Sequence, residues 1–170
     1  AVRPAACFEI GTFDGRTTIN LAANAPVEGR IYTLDLPPEG LGHTRHSIAC
    51  GDEKYIQKPQ SGARFLNTSW AARITQLYGD SATFDFTPYE GRMDLVFVDG
   101  SHSYEYVKSD TRAALKLLKP DGGVILWHDY GSPYWKGLTR ALNELRQEIP
   151  ELATMRHLHD TMLVYWRRGH

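Results

Sequence analysis

Short apolar runs alternate along the chain with segments whose apolar positions recur every three or four residues. Cys7, Phe8 and Ile10 form the first run, and Ile19, Leu21 and Ala22 follow at helical spacing. Residues 29–35 and 73–78 read as the second and third strands, the latter with Ile74 and Leu77 turned to the core. A helix is expected over 63–72. Residues 93–98 are almost continuously apolar, as a parallel strand covered on both faces requires. Val107, Thr111, Ala114 and Leu118 then share one helical face. Val124 to Trp127 is a fifth strand, and Leu138, Leu142, Leu145 and Ile149 line another helix. The tail reads as two strands, 153–157 and 162–166, joined closely enough through His159-Asp160-Thr161 to pair antiparallel. These units predict one α/β domain over residues 1–170. It is a doubly wound, mostly parallel seven-stranded sheet with an antiparallel strand near one edge.

Residues 36–63 break this rhythm. Prolines, glycines, His43, His46, Cys50 and the charged Gly51-Asp52-Glu53-Lys54 show no long periodicity. A connection this long in a compact domain is a functional loop or a disordered one. It is read as a lid inserted beside the ligand site, with room for a short helix. His43 and His46 have a spacing that metal ligands use, but on an isolated loop exposed histidines are the better reading.

Composition changes little in this picture. The 170 residues carry 19 basic and 20 acidic side chains, with no basic stripe or arm. Nucleic acid is therefore not an implied partner. No apolar run reaches the ~20 residues of a membrane helix, and no signal-peptide pattern is present. Cys7 and Cys50 form no C-x-x-C pair, which favours free thiols and a cytoplasmic setting. The chain opens without Met almost directly in a strand, so a preceding segment is expected. Oligomeric state is not readable, and a homo-oligomer is left open.

The candidate chemistry starts at the turn after the first strand. Glu9-Ile10-Gly11-Thr12-Phe13-Asp14-Gly15 leads into a helix that Thr17 or Thr18 could cap. A dinucleotide fingerprint with Gly11 at its centre would have Glu9 and Asp14 in place of its first and third glycines. A pyrophosphate would meet two carboxylates there, which is electrostatically poor. An acidic glycine loop suits a ligand that is cationic at its reactive end and lacks phosphate. S-adenosylmethionine (SAM) has that chemistry in its sulfonium and α-ammonium groups. Asp35 lies 20 residues beyond Gly15 at the end of the second strand, where an acid commonly holds ribose hydroxyls. Gly79-Asp80-Ser81 offers a carboxylate and a hydroxyl that could read an adenine, or could cap a helix. Asp99 and Asp129 each end a predicted strand. Two such carboxylates either share a proton or hold a hard cation.

Four stretches, 8–15, 77–81, 95–104 and 125–130, together resemble a bacterial class I SAM-dependent methyltransferase family. It is related to the macrolide-sugar O-methyltransferases and, more distantly, to the catechol-type enzymes. The resemblance spans nearly the whole chain. It implies a Rossmann-like sheet, SAM as donor, and metal-assisted methylation of a small-molecule or sugar hydroxyl. The cofactor set expected from the loop and strand ends is Glu9, Gly11, Thr12, Phe13, Gly15, Asp35, Leu36, Asp80, Ser81 and Asp99. His102 follows Asp99 by three residues and has an unperturbed pKa near 6.5, so it is the candidate base. The sugar enzymes place a histidine base at this spacing after a metal-binding Asp, so the resemblance implies the same role. The bland alternative is a His102 that caps the next helix or merely lines the cleft. The metal set is Asp99, His128 and Asp129. His128 departs from the carboxylate or amide those enzymes place there, which leaves Mg²⁺, Mn²⁺, Fe²⁺ and Zn²⁺ all open, along with a metal-free site in which Asp129 is buried in a charge pair and His128 packs beside it. Successive strand residues face opposite ways, so His128 and Asp129 reach one ion only if the chain has already turned. Tyr104, Tyr106, Tyr130, Tyr134 and Trp135 flank the strand ends as candidate walls of an acceptor pocket or as ordinary core and rim aromatics. The alternatives of another class are an NAD-linked oxidoreductase and a non-catalytic SAM- or nucleotide-binding module.

Overall fold

A computed structural model describes residues 3–169. Strands β1 (Ala6–Ile10), β2 (Arg30–Asp35), β3 (Ile74–Tyr78), β4 (Leu95–Val98), β5 (Gly123–Trp127), β6 (Arg156–His157) and β7 (Val164–Arg168) form one sheet, in the order β3-β2-β1-β4-β5-β7-β6. Neighbours from β3 through β5 pair parallel, whereas β7 runs antiparallel to β5 and β6 antiparallel to β7. The strand order reverses between β1 and β4. In open α/β sheets the ligand crevice lies outside the carboxyl ends of the strands at such a point.

The alternation of side chains assigns the faces. Phe8, Ile10, Val96, Val98, Ile125 and Trp127 point to the layer formed by α3 (Tyr104–Leu117) and α4 (Lys136–Glu148). Cys7, Ile31, Leu95 and Phe97 point the other way, toward α1 (Arg16–Asn24). β4 is buried at all four positions because both layers cover it. On α3 the buried positions include Val107, Thr111, Ala114 and Leu117. Thr111 accepts the indole N–H of Trp127 at 2.9 Å, which satisfies that buried donor. Ser103 caps α3, accepting from the Tyr106 amide, so the capping alternative for His102 does not hold.

Three local expectations need correction. No helix forms over 63–72, where turns lead to a single 3₁₀ turn at Ala71–Arg73. The amides of Gly62 and Arg64 donate instead to Phe13 O and Asp14 O, and Arg64 Nε pairs with Asp14 at 2.6 Å. Backbone donors tied to the β1 loop cannot join a helical ladder. Neither Thr17 nor Thr18 caps α1. Gly15 is the cap residue in a left-handed conformation, and Thr18 sits inside the first turn with its hydroxyl on Glu9. The first tail strand shrinks to Arg156–His157 because Pro150–Thr154 winds into a 3₁₀ turn. Its partner shifts to 164–168.

Candidate active site

A cavity of about 340 Å³ opens at the carboxyl ends of β1 to β5. This is within the ~300–1,000 Å³ usual for small-molecule sites. Its floor comes from Gly11 and Phe13 after β1, Asp35 and Leu36 after β2, and Gly79, Asp80 and Ser81 after β3. Asp99 to His102 after β4 and His128 and Asp129 after β5 complete it. Ile48, Asp52, Tyr55 and Ile56 of the 36–63 segment close it from above. That segment contains a short helix, α2 (Glu53–Ile56), as a lid reading allows. His43 is exposed, and the half-buried His46 packs edge-on against Tyr106.

Three of the expected cofactor residues lie behind the loop and do not line the cavity. Glu9 alternates with Cys7 and so points to the α1 face, where it is 1% exposed. It accepts from Thr18, and from Thr33 at 2.5 Å; Thr12 meets the Thr33 hydroxyl at 2.7 Å. Burial pushes the Glu9 carboxyl up to about 8, against the lowering effect of both threonines. Gly15 shapes the turn, with Phe65 against it. Gly11 differs from expectation in its reason. It has φ +99°, and a Cβ there would sit 2.0 Å from the Asp99 carbonyl oxygen. The missing side chain lets two strand ends approach one another, besides leaving the loop open to a ligand.

The 36–63 segment is tied to residues that face the cavity. Lys58 Nζ lies 2.7 Å from Asp35 Oδ2, Ser61 donates to the same oxygen, and both charged side chains are over nine-tenths buried. Asp80 accepts from the Arg45 amide at 2.6 Å, the Ala82 amide at 2.9 Å and the Tyr106 hydroxyl at 2.8 Å. The Tyr106 hydroxyl is correspondingly pushed upward by burial and by Asp80.

At the other end His102 is clamped. Nδ1 lies 2.6 Å from Asp52 Oδ1, and Nε2 lies 2.9 Å from Asp129 Oδ2. Trp135 stacks on the ring at 4.3 Å. Burial alone would lower the imidazole pKa, but the hydrogen bonds and charges of Asp129 and Asp52 outweigh it and hold the group at about 9. Asp129 is held well below the usual carboxylate range, because His102 and His128 overcome its burial. Asp99 is pushed up to about 6, chiefly by burial.

Asp129 has φ +61°, so the chain has turned after β5, and His128 and Asp129 both face the cavity. His128 Nδ1 is 3.1 Å from Asp129 and 3.6 Å from Asp99, yet it is buried without a well-formed hydrogen bond. Ligand atoms of Asp99, His102 and Asp129 lie within 4.8 Å of one another. Both nitrogens of His102 are already taken by carboxylates. The free donor beside Asp99 and Asp129 is therefore that of His128. Two carboxylates and an unpaired imidazole nitrogen fit a divalent cation.

Sequence reasoning missed Asp52, Lys58, Ser61 and Ser101. Asp52 stood in a charged patch with no periodicity, so no local signal marked it. Of the aromatics, Tyr106 lines the cavity and Trp135 supports His102. Tyr134 is 83% exposed, while Tyr104 and Tyr130 bond to Glu144 and Asn143 on α4.

Residues 8–130 match a family described as a methyltransferase domain. Among solved structures, the O-methyltransferase TomG from Streptomyces achromogenes, involved in tomaymycin synthesis and bound to SAM, is 23% identical with a TM-score of 0.56. The match covers 85% of this chain and 62% of that one, so this chain spans less than two thirds of that protein's length. The cofactor-bound Rv0187 from MTB is 21% identical with a TM-score of 0.64, covering 96% of this chain and 72% of that one. An O-methyltransferase from Bacillus cereus in complex with SAH is 20% identical with a TM-score of 0.58, covering 95% and 73%. No curated protein sequence matches this chain. At these identities the solved structures establish the fold, while the family match covers well over half of the sequence. The chain belongs to the methyltransferase domain family.

Proposed function

We propose that this protein transfers the methyl group of SAM to a hydroxyl of a small molecule or sugar, with His102 as the base. The observation that carries this reading is the convergence on one cavity of the β1 loop, the acids at the ends of β2 and β3, and the cluster Asp99, His102, His128 and Asp129. The first group suits the adenosyl and ribose parts of the cofactor, and the second suits the reacting end. In methyl transfer the acceptor oxygen forms a bond to the methyl carbon as the carbon–sulfur bond breaks. The sulfur keeps that electron pair, and the hydroxyl proton passes to His102 Nε2, which must exchange its contact with Asp129 Oδ2 for the acceptor oxygen. Alignment of oxygen, carbon and sulfur supplies most of the acceleration. A neutral imidazole is needed to accept the proton. With its pKa at about 9, only roughly one His102 ring in a hundred is neutral at pH 7.

Asp99, His128 and Asp129 would hold a divalent cation, which would supply Lewis acidity toward the acceptor oxygen. Asp35 would take ribose hydroxyls once Lys58 releases it, and Asp80 and Ser81 would take the adenine edge; all three line the cavity. Membership of the reaction class is tested by calorimetric titration with SAM and with NADH, each with Mg²⁺ and with EDTA. The second step is transfer of labelled methyl from SAM to a panel of phenols, catechols and sugars. SAM binding without NADH binding, and labelled product lost in His102→Ala with SAM affinity retained, is the expected result. NADH binding without SAM would make the protein an oxidoreductase. Full turnover in His102→Ala would remove the base assignment.

A further inference from the structure

The lid brings its own carboxylate into the site. Asp52 is 3% exposed, although it sits in the most irregular stretch of the chain. Oδ2 accepts from the Ser101 hydroxyl at 2.7 Å and from the His102 amide at 2.9 Å, and Oδ1 lies 2.6 Å from His102 Nδ1. One side chain thus holds both the backbone and the ring of the same histidine. The opposite ring nitrogen faces the cavity and Asp129, and Trp135 fixes the ring plane. Of the two carboxylates on the ring, only Asp52 comes from outside the β4 and β5 strand ends. The contact therefore exists only while the lid is seated.

We propose that Asp52 is a positioning residue that couples lid closure to the orientation of His102. The proposal rests on the reading of His102 as the base. With the lid down, Asp52 takes Nδ1 and directs Nε2 into the cavity. With the lid away, nothing in the body of the sheet holds Nδ1, and the ring can turn about its side-chain bonds. The remaining lid anchors, Lys58 with Ser61 on Asp35 and the Arg45 amide on Asp80, are on acids placed for the cofactor. These lid contacts and the cofactor therefore compete for the same acids, and Asp52 ties the position of the lid to the orientation of the base.

The test is nuclear magnetic resonance of the full chain labelled with ¹⁵N at histidine, in EDTA, with and without SAM. Wild type should show a far-downfield His102 Nδ1–H proton, as a short bond from an imidazole to a carboxylate gives. Asp52→Ala should lose it. Asp52→Asn keeps an oxygen acceptor of the same shape and should retain the proton at a less extreme position, which guards against simple misfolding. SAM affinity should stay within about threefold while turnover of an acceptor from the panel falls about 10–100-fold in Asp52→Ala, the usual effect of losing a residue that orients a functional histidine. An unchanged Nδ1–H signal in Asp52→Ala overturns the inference, as does a fall in SAM affinity equal to the fall in turnover. If SAM fails to bind but the signal still depends on Asp52, the coupling stands and the methyl-transfer reading falls. If SAM binds and the signal ignores Asp52, the coupling alone falls.

Discussion

Replacing Asp110 with Asn should make the protein more stable in alkaline solution and leave a pH-dependent signature that no other group can imitate. Asp110 lies on the inner face of α3, is 1% exposed, and has no hydrogen-bond partner of good geometry on either oxygen. One of its oxygens lies 3.0 Å from where a Gly100 side chain would begin, so the space around it is closed. Burial pushes its pKa up to about 7; the nearby Ser81 and Ser109 hydroxyls, though outside good hydrogen-bond geometry, pull it down, and the charge of Asp80 adds to the rise. A carboxyl whose folded pKa exceeds its unfolded value of 3.8 binds more protons in the native state across that window. Its contribution to stability is therefore full below pH 3.8 and is lost progressively as pH rises toward 7. At about 1.4 kcal/mol for each unit, the loss amounts to about 4 kcal/mol by pH 8. That is an upper figure, because relaxation and water entry soften the cost of buried charge.

Asn has the same shape and no charge. It carries its own unpartnered amide, a pH-independent cost of about 1–3 kcal/mol. The assay is urea unfolding of wild type and Asp110→Asn at intervals from pH 5 to pH 8.5. The difference between the two unfolding free energies cancels every group they share, Glu9 included. That difference should rise in favour of the variant by about 1.4 kcal/mol per pH unit below pH 7 and then level off. A flat difference across the whole range would refute the argument, because it would mean that the carboxyl is charged in the native state and paired in a way the geometry does not show.

Gly11→Ala should cost at least ~3 kcal/mol, because its Cβ meets the Asp99 carbonyl at 2.0 Å and its φ of +99° is left-handed; thermal unfolding reads this directly. Lys58→Met keeps the buried stem but frees Asp35 from its 2.7 Å ion pair, so SAM should bind several-fold tighter, while Asp35→Asn should weaken binding about tenfold or more, both by calorimetry. The kcat/KM profile in EDTA should rise about tenfold per pH unit from pH 7 and level near pH 9, where the raised His102 loses its proton. Ile10→Ala, on a side chain 2% exposed under the cavity floor, should cost about 2–5 kcal/mol in chemical unfolding.

The parts of this molecule that could be read from its sequence are those whose causes are local and periodic. Within the run 93–98, Leu95–Val98 is a doubly covered strand, as a short continuous apolar run bounded by turn residues suggests. The acids at 35, 80, 99 and 129 follow from knowing where strands end, since a parallel sheet sends all its carboxyl ends to one edge. Glu9 shows where the same reasoning needs one step more. The period of two that makes 6–10 a strand also sends Glu9 to the face of Cys7, away from the crevice and toward Thr18 and Thr33.

The lid is different in kind. Its backbone makes few bonds of its own, and what fixes it is a set of single contacts to distant residues: Arg45 with Asp80, Asp52 with His102, Lys58 and Ser61 with Asp35. No spacing within 36–63 encodes such pairings, because each partner lies on another element. The same holds for 63–72, whose amides are drawn to Phe13 and Asp14 before a helix can use them. A segment held by a few polar contacts, rather than by a buried stripe, is also one that detaches as a unit when those contacts are exchanged for others. What hid Asp52 from the sequence therefore also suits it to act on His102. A residue fixed by the core could not report whether the cavity is covered, whereas one on a detachable segment can.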